Sequence, residues 1–192
     1  VMLLVLALGF SFLAASKIAA DTLPFEEDPD NFKWQNISHM TGINKTLYVK
    51  WQNFNTTTKD RCHSALKTSV ITNSGSKNFT YTFAFKPDGQ WPRNTLAFNA
   101  TVTTIKTGNH TEENAVKYQI EGQKDVTLKL MYADPKKKCF IVVQDIDDNK
   151  KGCRLVQPEG ALNTVPSECK KVYQANCGGQ NFTLYKGKKC ET

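Results

Sequence analysis

A chain of 192 residues with 40% apolar residues, six cysteines and a formal charge of +7 has the length and apolar content of one folded domain. The charge is spread over Lys136-Lys137-Lys138, Lys188-Lys189 and single lysines, without the clustered aromatics that base stacking needs, which excludes a nucleic-acid reader. The two lysine runs lie beside turns and read as solvated strand ends, with weak attraction to anionic cell surfaces left open.

The chain opens on an apolar run, Val1 to Leu13, followed by small residues to Ala20. This is a signal-peptide core with cleavage after Ser16 or Ala20, and it is too short before Lys17 to span a bilayer. A basic leader and an initiating Met are missing, which points to an incomplete N-terminus. No later segment is apolar enough for a membrane span. Residues 21–192 are therefore expected to form one soluble, secreted domain after a signal peptide at residues 1–20.

Period-two alternation dominates from there on. Thr46 to Phe54 sets Leu47, Val49 and Trp51 against Tyr48, Lys50 and Gln52. Cys62 to Ile71 is a less regular strand. Asn78 to Phe85 aligns Phe79, Tyr81, Phe83 and Phe85, and Thr95 to Thr103 aligns Leu96, Phe98, Ala100 and Val102. Val116, Tyr118 and Ile120 form another face, and Asp125 to Tyr132 aligns Val126, Leu128, Leu130 and Tyr132. Lys138-Cys-Phe-Ile-Val-Val143 and Gly152-Cys-Arg-Leu-Val156 are two late strands joined through turn formers. As a calcium loop that joint fails, with Lys150 at the glycine position and Val156 at the closing glutamate.

Seven Asn-x-Ser/Thr triplets, headed by Asn36, Asn44, Asn55, Asn78, Asn99, Asn109 and Asn181, predict a glycoprotein. A glycan must face water, so Asn78 and Asn99 turned outward put Phe79 and Phe98 inward. Asn181 stands in the same relation to Phe182 and Leu184.

The one good helix begins near Thr164 to Pro166, with Thr164 as its cap and Pro166 in its first turn. Val165, Cys169, Val172 and Tyr173 share a face, and Gly178-Gly179 stops the helix. About eight one-sided strands with a single helix predict an all-β fold, an eight-stranded antiparallel barrel with the helix packed outside. A two-sheet sandwich is the runner-up. Cysteines in a secreted chain are expected as disulfides, although six allow 15 pairings.

Catalysis finds no support. His39, His63 and His110 are scattered, with no metal spacing, nucleophile elbow, phosphate loop or Cys-x-x-Cys. No metal, cofactor or enzymatic activity is expected, and His63 is assigned no special role.

The chain resembles the tick salivary lipocalins, the family of the histamine-binding proteins, over nearly all of residues 21–192. The resemblance is carried by Asp30-Asn-Phe-Lys-Trp34, Leu47-Tyr-Val-Lys-Trp51, Arg61-Cys-His-Ser-Ala65 and Cys139-Phe-Ile-Val-Val143. Cys153-Arg-Leu-Val156, Val165-Pro-Ser-Glu-Cys169 with Tyr173, Cys177-Gly178 and Cys190 complete it. It implies a lipocalin barrel that holds a small host mediator, and disulfides Cys62–Cys190 and Cys139–Cys169, leaving Cys153–Cys177 as a third pair.

With Cys139 bonded to an outside helix, Phe140 and Val142 point inward by the pleat, and with Cys153 outward, Arg154 and Val156 point inward. Amine-binding members of the family carry an acidic residue after the first of these cysteines and Glu-Leu-Trp or Glu-Leu-Tyr after the second. Here those positions read Phe140, Arg154 and Val156. The expected cavity wall is Trp51, Phe83, Phe98, Tyr118, Leu128, Tyr132, Phe140 and Val156, with Arg154 as a lone cation suited to a carboxylate. A solid core with Arg154 reaching the rim is the plain alternative.

The expected function is capture of a hydrophobic or anionic lipid mediator, in evasion of host defence, by a monomer. One alternative is binding of histamine or serotonin through acids elsewhere, such as Asp125 or Glu121. Another is a glycoprotein that masks a host protein such as a complement component.

Overall fold

The eight expected stretches become eight strands in the computed structural model, which describes residues 23–56, 60–73, 76–87, 94–120, 122, 124–146, 150–178 and 181–190. They are β1 (Leu47–Gln52), β2 (Arg61–Asn73), β3 (Ser76–Lys86), β4 (Leu96–Ile105), β5 (Ala115–Tyr118), β6 (Val126–Ala133), β7 (Phe140–Asp145) and β8 (Lys151–Pro158). Each pairs antiparallel with its sequence neighbour from β2 through β8, and β8 pairs with β1. Leu47 opposite Ala65 and Tyr48 opposite Ser64 join β1 to β2 and close the barrel. The expected signal peptide lies outside the described residues.

Beyond that contact β1 and β2 part, and a ninth strand, β9 (Phe182–Thr183), pairs with Trp51 and Gln52 of β1. Leu184 continues the seam, its N–H donating to the Lys50 carbonyl at 3.1 Å and its carbonyl accepting from Cys62 N–H at 3.0 Å. The Cys62–Cys190 disulfide then ties the chain end to β2.

The base is closed by the N-terminal segment. A 3-10 turn (Pro29–Trp34) and a short helix, α1 (Ser38–Thr41), lead into β1. Ile37 and Met40 join Leu130, Ala133 and Phe140 in the inner core. The Ile37 N–H donates to the Glu113 carbonyl at 3.0 Å, so the plug is hydrogen-bonded to the wall beside it.

A second apolar layer lies outside the barrel. Helix α2 (Ser167–Asn176) covers the outer faces of β6 to β8, burying Cys169 and Tyr173 against Met131, Tyr132, Ile141, Val143 and Leu155. Burial on both faces explains why β7 reads as an uninterrupted apolar run. Cys139–Cys169 and Cys153–Cys177 pin the two ends of α2 to β7 and β8. Asn53 adds a polar tie: its Oδ1 accepts from Cys153 N–H at 2.7 Å and its Nδ2 donates to the Cys177 carbonyl at 2.6 Å. The helix starts later than its sequence suggests, with Pro166 at the N-cap, where it supplies no side-chain capping bond. Of the sequon residues, Asn44, Asn55, Asn99, Asn109 and Asn181 are exposed, and Asn36 and Asn78 are half-buried.

Candidate ligand-binding cavity

The inward residues of β1 to β8 do not fill the barrel. A cavity of about 360 Å³ remains above the plug of Ile37 and Met40, within the size range of small-molecule sites. Its wall is mainly apolar. Phe83 forms the centre of an aromatic shelf, stacked on Phe98 with ring centroids 5.4 Å apart and on Tyr118 at 4.9 Å. Tyr81, Leu47, Val49, Val102, Val116, Leu128, Val142 and Val156 continue the surface. Burial pushes the Tyr81 hydroxyl pKa up to about 12, so it stays neutral.

Polar side chains gather toward the barrel end that carries the β1–β2, β5–β6 and β7–β8 connections. Arg154 projects from β8 into the cavity. Its Nη1 donates to Gln144 Oε1 at 2.6 Å, its Cζ lies 4.9 Å from the Phe54 ring centroid, and its buried Nε has no hydrogen-bond partner. Burial lowers its pKa, while the neighbouring Tyr118 acts in the opposite direction. An arginine nevertheless stays charged. Among the described residues no carboxylate comes within ion-pair distance of it.

His63 shares this end of the cavity with Asp60 and Ser64. The β2–β3 register shifts between Arg61 and Ser64, and Cys62 takes a left-handed φ of 57° that turns its sulfur toward Cys190. Burial first, and the Arg154 charge second, depress the His63 pKa to about 4; Asp60 opposes this and Arg61 adds to it. His63 bonds the Asp60 backbone, and its buried Nε2 is unpartnered. A neutral ring bonded through Nδ1 offers Nε2 to the cavity as an acceptor.

Six residues expected on the wall line the cavity: Phe83, Phe98, Tyr118, Leu128, Arg154 and Val156. Three do not. Trp51 faces outward against Tyr173 of α2, with centroids 5.8 Å apart. Tyr132 also faces outward, against Trp34 at 5.9 Å. The cause is the same in both strands: the pairing register shifts between Val49 and Trp51 in β1 and between Leu130 and Tyr132 in β6. One extra residue reverses which side the next side chain takes. Phe140 does point inward, but it is wholly buried near the base and Val142 reaches the cavity instead. Asp125 sits on the surface, paired with Lys117 at 2.5 Å and 47% exposed. Glu121 lies outside the described residues.

Sequence reasoning missed His63, because alternation cannot be counted through an irregular strand. It also missed Tyr81 and Phe85, whose shared parity with Phe83 was available as a signal. Among the described residues no group of His, Cys, Asp or Glu is placed to hold a metal ion. No described helix is long and apolar enough to cross a membrane.

A closed eight-stranded antiparallel barrel, an apolar cavity and one helix outside define a lipocalin-type binder of small ligands. The model of the tick histamine binding protein family matches residues 25–192, and the chain belongs to that family. No curated protein matches it at a significant level. Japanin from Rhipicephalus appendiculatus, solved bound to cholesterol, superposes with a TM-score of 0.56 at 12% identity, covering 77% of this chain and 96% of its own. AM182, solved as a serotonin complex, superposes with a TM-score of 0.51 at 16% identity, covering 86% and 90% respectively. At these identities the likeness is one of fold.

Proposed function

We propose that the protein is a secreted carrier that captures an amphipathic, anionic lipid mediator, with the acyl chain in the barrel and the carboxylate on Arg154. The observation that carries this reading is a guanidinium inside an apolar cavity with no carboxylate partner among the described residues. A buried cation with an unused donor is costly alone and is relieved by an anion placed bidentately. A bound ammonium would instead add a second cation beside it. Asp60, which also lines the cavity, is followed directly in the chain by Arg61.

Burying about ten methylenes contributes roughly 8 kcal/mol gross, reduced by the freedom lost on association. The apolar leader at residues 1–20, the seven sequons and three disulfides support export to an oxidising compartment. Acting as a monomer at a feeding site, such a carrier lowers free mediator by stoichiometric capture.

Titration calorimetry with a leukotriene, histamine and serotonin in parallel tests the reading. Saturable binding of the leukotriene that is lost in Arg154→Ala, with the fold intact, is the expected result. Submicromolar histamine or serotonin binding with no lipid uptake would overturn it.

A further inference from the structure

Two local preferences of the chain are broken at one place on its surface. The β6–β7 turn, Asp134-Pro-Lys-Lys-Lys138, holds Lys137 at a left-handed φ of 54°, a conformation that Gly or Asn adopts with less strain. Beside it, α2 carries Lys170 and Lys171 in its first half and no basic residue in its last turn, against the helix dipole, with Glu168 as the favourable charge in its first turn. Such conflicts concentrate where function sets the residue rather than folding.

The turn is built to keep its lysines available. Asp134 is 8% exposed, and its Oδ2 accepts from the Lys136 and Lys138 backbone N–H groups at 3.1 Å each. Its carbonyl accepts from Lys137 N–H at 2.7 Å, and its own N–H donates to the Cys139 carbonyl at 2.9 Å. The carboxylate is thus spent on the backbone. The Cys139–Cys169 disulfide sets its two Cα atoms 6.5 Å apart, so Lys138 and Lys170 flank one covalent staple. Glu168 faces the same region and is engaged by Lys171 at 2.7 Å. Lys136, Lys137, Lys138 and Lys170 are exposed and have no acidic partner among the described residues.

We propose that this rigid, four-lysine surface binds a sulfated polysaccharide. Closely spaced point charges on a fixed turn suit a repeating polyanion, whose bound counterions are released on contact. A membrane surface fits less well. Among the described residues the exposed large apolar ones are Leu23, Leu66, Val70, Ile71 and Leu96, none of them on the turn or on α2, so no described apolar side chain there is available to insert into lipid. The site also lies at the barrel end opposite Arg154, because successive antiparallel connections alternate between ends. Docking to a matrix would leave the cavity mouth free.

Heparin chromatography and titration of the full chain test the proposal. Three variants are compared with the wild type: Lys136→Ser/Lys137→Gly/Lys138→Ser/Lys170→Ser, an equal-charge control Lys106→Ser/Lys124→Ser/Lys186→Ser/Lys188→Ser, and Lys137→Gly alone. The expected result is binding weakened by about tenfold or more at physiological salt in the first variant and far less in the control. Lys137→Gly should elute earlier than wild type with an equal or higher melting temperature, separating lost charge from lost fold. Equal weakening in the two four-site variants would overturn the site. So would equal retention on desulfated heparin, or binding to phosphatidylserine vesicles without binding to heparin.

Discussion

The Arg154 guanidinium lies over the Phe54 ring at 4.9 Å, and the strand residue that lets Phe54 reach it is Gly152. A Cβ at Gly152 would stand 2.8 Å from Ile146 Cδ1 and 3.0 Å from Phe54 Cδ1. The backbone of β8 therefore sets the platform of the cavity's cation two residues away.

Gly152→Ala should displace Ile146 and Phe54 together. Overpacking of this kind costs about 1–3 kcal/mol, which lowers the melting temperature by several degrees. Displacement of a fluorescent fatty acid should weaken as well. Phe54→Ala should weaken it with a smaller loss of melting temperature.

Arg154→Leu should separate stability from binding. Leucine is shorter than arginine, but replacing buried charge by apolar side chains is often neutral or stabilising by about 1–4 kcal/mol. A melting temperature that rises while fatty-acid affinity falls by about ten- to a hundredfold is the expected pair. A large fall in melting temperature would mean that Gln144 and Phe54 repay the burial of the charge without any ligand.

His63 should make the protein less stable in acid. Its pKa in the folded chain is about 4 against an ordinary 6.5, so the unfolded chain binds the extra proton first. Stability is unaffected above about pH 7, falls as the pH drops through the interval between these values, and loses nothing further from this group below about 4. The shift corresponds to at most about 3 kcal/mol, less where water screens the ring. Urea melts of wild type and His63→Phe at pH 7 and 4.5 should show a smaller pH effect in the variant.

Cys62→Ser/Cys190→Ser should cost more than removal of either other disulfide. Its cysteines are 128 residues apart, against 30 and 24, and in the chain-entropy model that bridge is worth roughly 4–5 kcal/mol. Cys62 is also released from its left-handed conformation, so His63 next to it can shift. A drop in ligand affinity as well as in melting temperature distinguishes this pair from the two that pin α2.

Strand parity was legible in the sequence wherever a strand pair runs without a register shift. The β7–β8 ladder pairs six consecutive residues, Phe140 to Asp145, without interruption. With the disulfides implied by the resemblance turning Cys139 and Cys153 outward, alternation there puts Arg154 and Val156 inward. Trp51 and Tyr132 lie just past shifts in β1 and β6, where alternation counted from the strand start fails. Nothing in Val49-Lys-Trp51 or Leu130-Met-Tyr132 marks the extra residue, since both positions still take a large ring on an apolar surface. The depth of Phe140 was not legible for another reason: parity gives the side of a sheet, and the plug of Ile37 and Met40 decides which inward residues the cavity reaches.

The seam between β1 and β2 has a consequence for biogenesis. Residues 182–184 complete hydrogen bonding that the first two strands cannot supply to each other. During synthesis the N-terminal strands must wait, unsatisfied along that stretch, until residues 182–184 have been made. Closure thus comes after every other strand of the barrel has been made, and a chain cut before Phe182 would expose a ragged, aggregation-prone slot.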